Sequence, residues 1–218
     1  MPSFPVVALA SNALTSLDVV QAELGVGDHN DQLRRYINIA SEAIERFCDR
    51  RFRRETVVEK VGFPGGQLLL LERTPLVSIS SIVVDGAALP EDSYSIQSAE
   101  QGSVYRESGW PWSAAVQDAA GPYQLPGTER RLATVTYVGG YVLPNDVGAR
   151  TLPFDVEQAC VETVVALYRG AGRDKGIAAE SVGGAAVTYA GRNPASGKAG
   201  SLIPDAALVL LENYRRVV

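Results

Sequence analysis

The chain contains a single histidine, His29, and this residue is the natural place to look for catalysis or metal binding. It lies between Asp28 and Asn30 in a polar stretch with no cysteine close by. A zinc site needs several Cys, His or carboxylate ligands at regular spacing, and a serine triad needs a matching Ser and Asp. Neither pattern is present, so the sequence predicts a solvated histidine and no metal site.

Glycines and a lysine suggest phosphate binding only at first sight. Residues Ser196 to Ala199 read Ser-Gly-Lys-Ala, but the earlier glycine is one position out of place and Ala199 replaces the Ser or Thr that binds magnesium. Gly170 and Gly172 follow a helical pattern rather than a strand, which excludes a dinucleotide fingerprint. We therefore predict no catalytic residues, no cofactor and no enzyme.

Two tryptophans, Trp110 and Trp112, stand close together in a stretch rich in Gly, Pro, Ser and Ala, from Glu107 to Thr128. Neighbouring aromatic rings suit a platform that stacks on sugars or bases. They equally suit a loop that grips a protein partner. Both interpretations stay open, and both tryptophans are candidate interface residues.

Arginines cluster in the sequence DRRFRR, from Asp49 to Arg54, which we call the arginine segment. The pattern places them at the end of a long helix, where positive charge complements the helix dipole. Guanidinium groups also make geometrically selective contacts with carboxylates. In a helix-turn-helix protein the base-reading residues lie near the start of the second helix, so a solvated helix end or a subunit contact is favoured over DNA reading. The candidate interface residues here are Arg50, Arg51, Arg53 and Arg54.

The composition is that of an ordinary globular protein. The chain has 218 residues, 46% of them hydrophobic, and a net charge of −5, which does not favour a general nucleic-acid binder. No apolar run approaches the roughly 20 residues of a membrane span. Cys48 and Cys160 each fall on an apolar helical stripe, so we expect two buried free thiols. A protein without membrane contact, made in a reducing cytoplasm, is the expectation.

Apolar residues at three- and four-residue spacing predict the helices. We expect two N-terminal helices over 16–24 and 30–50, with Ser16 as a cap of the first and Gly25 just past its end. A central helix follows at 153–169, with Pro153 in its first turn and acids near its start. The predicted ends are a flexible arm over 1–13, a Gly/Ser-rich linker over 191–201 and a C-terminal helix over 202–218.

Between residues 56 and 142 the spacing of apolar residues changes from the helical period to an alternation typical of strands. We predict an antiparallel β region there, inserted between the helices. A further strand-like stretch runs from Ala185 to Tyr189. The predicted fold class is α+β, a helical bundle carrying this β insertion, with the main domain over 14–190.

The order of these parts resembles the head–tail connector (adaptor) family of long-tailed bacteriophages and prophages. The resemblance runs from about Leu14 to Tyr189. It rests on the phrases IERFCDRRF, TPLVSISSIVVDG, VTYVGGY, LPFDVEQACVETVVALYRG and ESVGGAAVTY, each in the expected order.

That resemblance implies a structural virion protein assembled as a ring, commonly of twelve subunits. The ring would sit at the virion neck, beneath the portal at the capsid vertex, after synthesis in the host bacterial cytoplasm. It would contact the portal and a stopper or tail-completion protein, and double-stranded DNA would pass through its centre without sequence-specific binding. The acidic balance of the chain agrees with such a conduit.

Two alternatives from other classes remain. One is a helix-turn-helix regulator with a β ligand domain, in which the arginine segment would contact phosphates. The other is a carbohydrate-binding module that uses Trp110 and Trp112. Salt-dependent retention on DNA would favour the first alternative, and retention on glycans would favour the second.

Overall fold

A computed structural model describes residues 6–62, 65–84, 86–110, 132–171, 179–182, 185–188 and 202–216. The chain divides into two compact units. The helical unit comprises Met1–Arg50 and Leu143–Val218, and the sheet unit comprises Arg51–Val142. Helices and antiparallel sheets in one chain confirm the predicted α+β class, whereas the description as a helical bundle stays a prediction.

The first two helices of the helical unit are α1 (Leu17–Leu24) and α2 (Asn30–Cys48). The Ser16 hydroxyl accepts from the Val19 amide at 3.4 Å, and Gly25 ends α1 in the left-handed conformation, so both predicted caps are confirmed. The sequence prediction carried α2 to residue 50, but Asp49 adopts φ 49° and ends the helix at Cys48.

The remaining helices are α3 (Phe154–Ala171) and α4 (Asp205–Leu211). The C-terminal helix is shorter than predicted. Pro204 precedes its first turn, a 3-10 turn follows over Glu212–Tyr214, and Arg215 is extended. α3 contacts α1, α2 and α4, and its buried side chains include Val156, Cys160 and Val164.

Residues near the N-terminus are attached to α2, which differs from the predicted flexible arm over 1–13. The Asn38 side chain accepts from the Ala10 amide at 2.8 Å and donates to the Ala8 carbonyl at 3.0 Å. Asn12 donates to a Glu45 carboxylate oxygen at 2.8 Å. Asn38 thus bonds two backbone groups and Glu45 bonds the Asn12 side chain, contacts that a sequence pattern cannot assign. Residues 1–5 of the predicted arm and the whole predicted linker over 191–201 lie outside the described residues.

The sheet unit contains two antiparallel sheets. A four-stranded sheet has the order β1-β7-β3-β4, formed by Glu55–Gly62, Leu132–Gly139, Leu76–Val84 and Ala87–Ala88. A three-stranded sheet has the order β2-β6-β5, formed by Leu68–Leu70, Ser103–Tyr105 and Ser95–Ser98. They share one apolar core, whose fully buried members include Leu69, Ile82, Val104, Val135 and Tyr137.

Glu59 is half-buried on the inner face of β1, in register with Val135, and its carboxylate needs partners because lost contact with water is costly. The Tyr137 hydroxyl donates to it at 2.5 Å, and the Glu72 amide donates to it at 3.1 Å. The same hydroxyl accepts from the Arg73 amide at 2.9 Å. Burial, followed by the bond to Glu59, raises the pKa of Tyr137. This chain of bonds joins β1, β7 and the segment after β2.

Close backbone packing inside the sheet unit explains why the sequence VGGY contains glycine at position 140. A Cβ on Gly140 would lie 2.7 Å from the Arg53 carbonyl carbon and 2.9 Å from the Phe52 carbonyl oxygen. Gly140 also has φ 101°, which side-chain-bearing residues rarely adopt. The tight approach lets the Tyr141 amide donate to Phe52 and the Arg54 amide donate to Tyr141, both at 2.7 Å.

A last pair of strands, β8 (Ala179–Val182) and β9 (Ala185–Thr188), follows α3 and forms a separate two-stranded antiparallel sheet. The predicted strand at Ala185 to Tyr189 corresponds to β9. The described helices include none that is long and apolar enough to span a membrane.

The glycine packing predicts unequal effects of two similar substitutions. Gly140 and Gly148 both have positive φ, but a Cβ on Gly148 would meet nothing within 4 Å. Gly148→Ala should lower the free energy of unfolding by about 1–2 kcal/mol through backbone strain alone. Gly140→Ala should lower it by at least ~2 kcal/mol more, because the backbone must also move. Urea titration measures both, and equal losses would contradict the packing explanation.

The two cysteines are buried free thiols in the helical unit, as the sequence predicts. Burial raises the pKa of each from 9.0 to about 12, although Arg50 and Arg215 oppose the shift at Cys48, and a contact of 3.7 Å with the Ser41 hydroxyl opposes it at Cys160.

We therefore expect neither thiol to react with DTNB in the folded protein at pH 8, and both to react after denaturation. An exposed control thiol, Ala206→Cys, should react at once. The folded state retains both protons where the unfolded chain loses them. The free energy of unfolding should consequently fall as the pH rises from about 9 towards about 12. Rapid native labelling of Cys48 or Cys160 would contradict this assignment.

Candidate interface surfaces

The arginine segment crosses the boundary between the two units, so its members have different surroundings. Arg50 closes the helical unit's first segment, and its amide donates to the Glu45 carbonyl at 3.2 Å. Arg51 is exposed at the start of the sheet unit. No structural observation tests a partner contact for either residue, and both stay candidates.

Arg53 and Arg54 are held within the sheet unit. Arg53 lies 3.8 Å from a Glu55 carboxylate oxygen, and its carbonyl accepts from the Arg73 guanidinium at 3.4 Å. The Arg54 guanidinium donates to the Gly140 carbonyl at 3.3 Å. Both side chains thus hold the entry to β1, a role that the sequence pattern did not indicate. Their role in an interface stays a prediction.

Two further arginines, Arg215 and Arg216, contact the end of α2 although they lie far from it in sequence. The Arg216 amide donates to the Cys48 carbonyl at 2.9 Å, and the Arg215 guanidinium lies 5.6 Å from the centroid of the Phe47 ring. With Arg46 and Arg50 they form a set that we call the α2-end arginines. Glu212 is exposed and adds a negative charge to this surface, whereas Glu45 is buried. The sequence pattern could not show that these residues come together, because Arg216 lies 166 positions after Arg50.

A second surface lies at the start of α3. The Phe154 ring is 78% exposed, and the Arg150 guanidinium stacks over it at 4.1 Å from its centroid. Arg150 is itself fixed, because it pairs with the buried Glu157 carboxylate and donates to the Leu152 carbonyl at 3.3 Å. The second Glu157 oxygen accepts from Thr15 at 3.3 Å. An exposed aromatic ring under a fixed arginine has the composition of a protein-interface hot spot.

Trp110 belongs to the core of the sheet unit. It is 4% exposed, its ring N–H donates to the Gln67 carbonyl at 3.1 Å, and its amide donates to Gly66 at 2.7 Å. A stacking platform needs an exposed ring face, so this burial does not favour a sugar-binding role for Trp110. Its interface role stays a prediction, and Trp112 lies outside the described residues.

Metal ligands do not gather anywhere in the described part of the chain: it holds no group of three or more His, Cys, Asp or Glu side chains suited to an ion. The His29 ring lies 6.4 Å from the Tyr168 ring, centroid to centroid, which associates it with an aromatic neighbour. His29 also has φ 64° at the start of α2 and makes no side-chain cap. The His29 side chain is exposed, which agrees with the predicted solvated histidine.

No protein-family model and no curated protein matches the chain. Solved structures match it over almost its entire length. A chain from the neck of an empty gene transfer agent (GTA) particle, computed with C6 symmetry, has a TM-score of 0.54 and 15% identity, covering 98% of this chain and 95% of that chain. A chain from the neck of the native particle, computed with C12 symmetry, has a TM-score of 0.50 and 16% identity, covering 100% and 97%.

A third chain, from the virion of the native gene transfer agent particle, has a TM-score of 0.51 and 14% identity, covering 98% of this chain and 94% of that chain. Identities this low establish a shared fold. The neighbours agree with the resemblance to head–tail connectors found in the sequence. The chain therefore has the fold of proteins from the neck of gene transfer agent particles.

Proposed function

We propose that this protein is a structural subunit of a head–tail connector ring at the neck of a phage-like particle. The observation that carries the proposal is the fold likeness to neck chains, which covers 98–100% of the chain. Those necks were computed with C6 and C12 symmetry, which supports a cyclic assembly for this chain as well. A non-enzymatic role agrees with both observations.

In this role the ring joins the portal to a stopper or tail-completion protein at the capsid vertex, and it forms part of the DNA conduit. A cyclic ring needs two different surfaces on each subunit, because each copy contacts its neighbours head to tail. The helical unit offers the Phe154 surface and the α2-end arginines as two such surfaces. Phe154 and Arg150 come preorganised, since the buried Glu157 holds Arg150 in place before any partner arrives.

The acidic net charge of −5 supports passage of DNA rather than retention. Negative-stain electron microscopy of the purified protein, alone and mixed with portal, tests the proposal directly. Rings of uniform diameter support it, and a protein that stays monomeric under both conditions contradicts it.

Charge reversal at Arg51 separates the connector from a DNA-binding regulator. Arg54 is a poor probe, because its guanidinium holds the Gly140 carbonyl. Arg51→Glu should reduce the assembled fraction at least tenfold, since a guanidinium facing acidic groups of a neighbour becomes a like charge. Lys60→Glu, an equal charge change at an exposed site of the same unit, should leave assembly intact. Mass photometry measures assembly, and fluorescence anisotropy measures duplex binding.

Duplex binding should be negligible for the parent and for both variants. Intact assembly of Arg51→Glu, together with loss of tight, salt-sensitive duplex binding, would instead identify a regulator. Equal defects in both variants would show that overall charge, not Arg51, controls assembly.

Removal of the exposed ring tests the Phe154 surface. Phe154→Ala should weaken ring assembly or portal binding at least tenfold, because an aromatic anchor at an interface contributes about 2 kcal/mol or more. The free energy of unfolding should change by less than ~1 kcal/mol, since the ring is exposed and loses only its contact with Arg150. Val209→Ala, at a site 75% exposed on α4, is the matched control. Unchanged assembly and portal binding of Phe154→Ala would remove this surface from the proposal.

A further inference from the structure

The strands β8 and β9 form a sheet that is incomplete by itself. Their register places Ala179 opposite Thr188 and Val182 opposite Ala185, with four paired positions in all. Among the residues that the structure describes, neither strand pairs with a third one. An isolated two-stranded hairpin is at best marginally stable in water, so a segment with this register gains from additional strands.

Both outer edges of the hairpin carry backbone groups that can pair. Two residues connect Val182 to Ala185, and in such a hairpin the closing pair exchanges the turn hydrogen bonds. Because hydrogen-bonded and non-hydrogen-bonded pairs alternate, the amide and carbonyl of Ser181 point away from β9, and those of Ala186 point away from β8. The strand sequences AESV and AAVT contain no proline or lysine, and Glu180 is their single charged residue, so the edges carry little of the protection that usually prevents pairing.

Rotational symmetry turns these two edges into a repeating contact. A β8 edge on one copy can accept the β9 edge of the next copy, and the resulting sheet stays antiparallel throughout. Repetition around an axis closes the sheet and leaves no edge unpaired. Pairing of β8 with β8 would join only two copies and would leave both β9 edges exposed, so it does not suit a ring.

We propose that β8 of each subunit pairs with β9 of the neighbouring subunit, so that the hairpins of one ring form a single closed β-sheet. The proposal rests on the ring proposed above and assigns it a specific contact between copies. The partner is a second copy of this chain, because only a copy related by rotation supplies the complementary edge at every step.

Disulfide cross-linking between variants that each carry one added cysteine tests this contact. Ser181→Cys and Ala186→Cys are mixed, assembled and oxidised, and a short bis-maleimide serves as a second cross-linker that tolerates a shift of register. The native thiols do not interfere, because Cys48 and Cys160 are buried and burial raises the pKa of each. Facing residues of adjacent strands lie about 4.5–5.5 Å apart between Cα atoms, within reach of a disulfide.

We expect cross-linked dimers on a non-reducing gel from the assembled mixture, and only monomers from either variant alone. Ala206→Cys mixed with Ser181→Cys is the matched control and should give no dimers, since Ala206 is exposed on α4 rather than on the hairpin. Rings seen by electron microscopy without cross-linked dimers would overturn the hairpin contact and leave the ring intact. Dimers from Ser181→Cys alone would reveal β8–β8 pairing and overturn it too. Absence of any ring would overturn the proposed function together with this contact.

Discussion

Close backbone packing at Gly139 and Gly140 is the constraint on which the sheet unit depends. A Cβ on Gly139 would lie 2.9 Å from the Arg73 side chain, and one on Gly140 would meet the carbonyls of Phe52 and Arg53. With no side chain at either position, the segment before β1, the segment before β3 and the end of β7 lie against one another. The Tyr137–Glu59 bond, the Arg54–Gly140 bond and the Arg73–Glu55 ion pair all follow from that arrangement.

Periodicity predicted the elements well because it reports burial along one segment. The helical spacing in α2 and α3 and the alternation in β1, β3 and β7 correspond to buried faces in the structure. The caps at Ser16 and Gly25 were also predictable, because they are local chemistry. The end of α2 was less predictable, because Asp49 ends this helix through its left-handed backbone, a conformation that its side chain does not specify.

The candidate surfaces were predicted only in part, since they depend on contacts between distant segments. The sequence showed the arginine segment as a cluster, but it did not show that the segment is divided between two units. It also did not show that Arg215 and Arg216 contact the end of α2. Trp110 looked like a loop residue because its neighbours are small and polar, but its ring fills the core between two sheets. Phe154 was not among the predicted interface residues, although the structure exposes its ring beneath Arg150.

The pairing of Phe52 with Tyr141 has a consequence for how the chain is built. The Tyr141 amide donates to the Phe52 carbonyl at 2.7 Å, so the sheet unit starts and finishes at adjacent points. The two ends of the sheet unit are therefore no farther apart than the two ends of a short loop. The length of the sheet unit adds little closure entropy to the helical unit, because that term depends on the separation of the ends and grows slowly with length. Such a segment can be exchanged, enlarged or shortened in evolution as a cassette, while the helices around it keep their sequence and spacing.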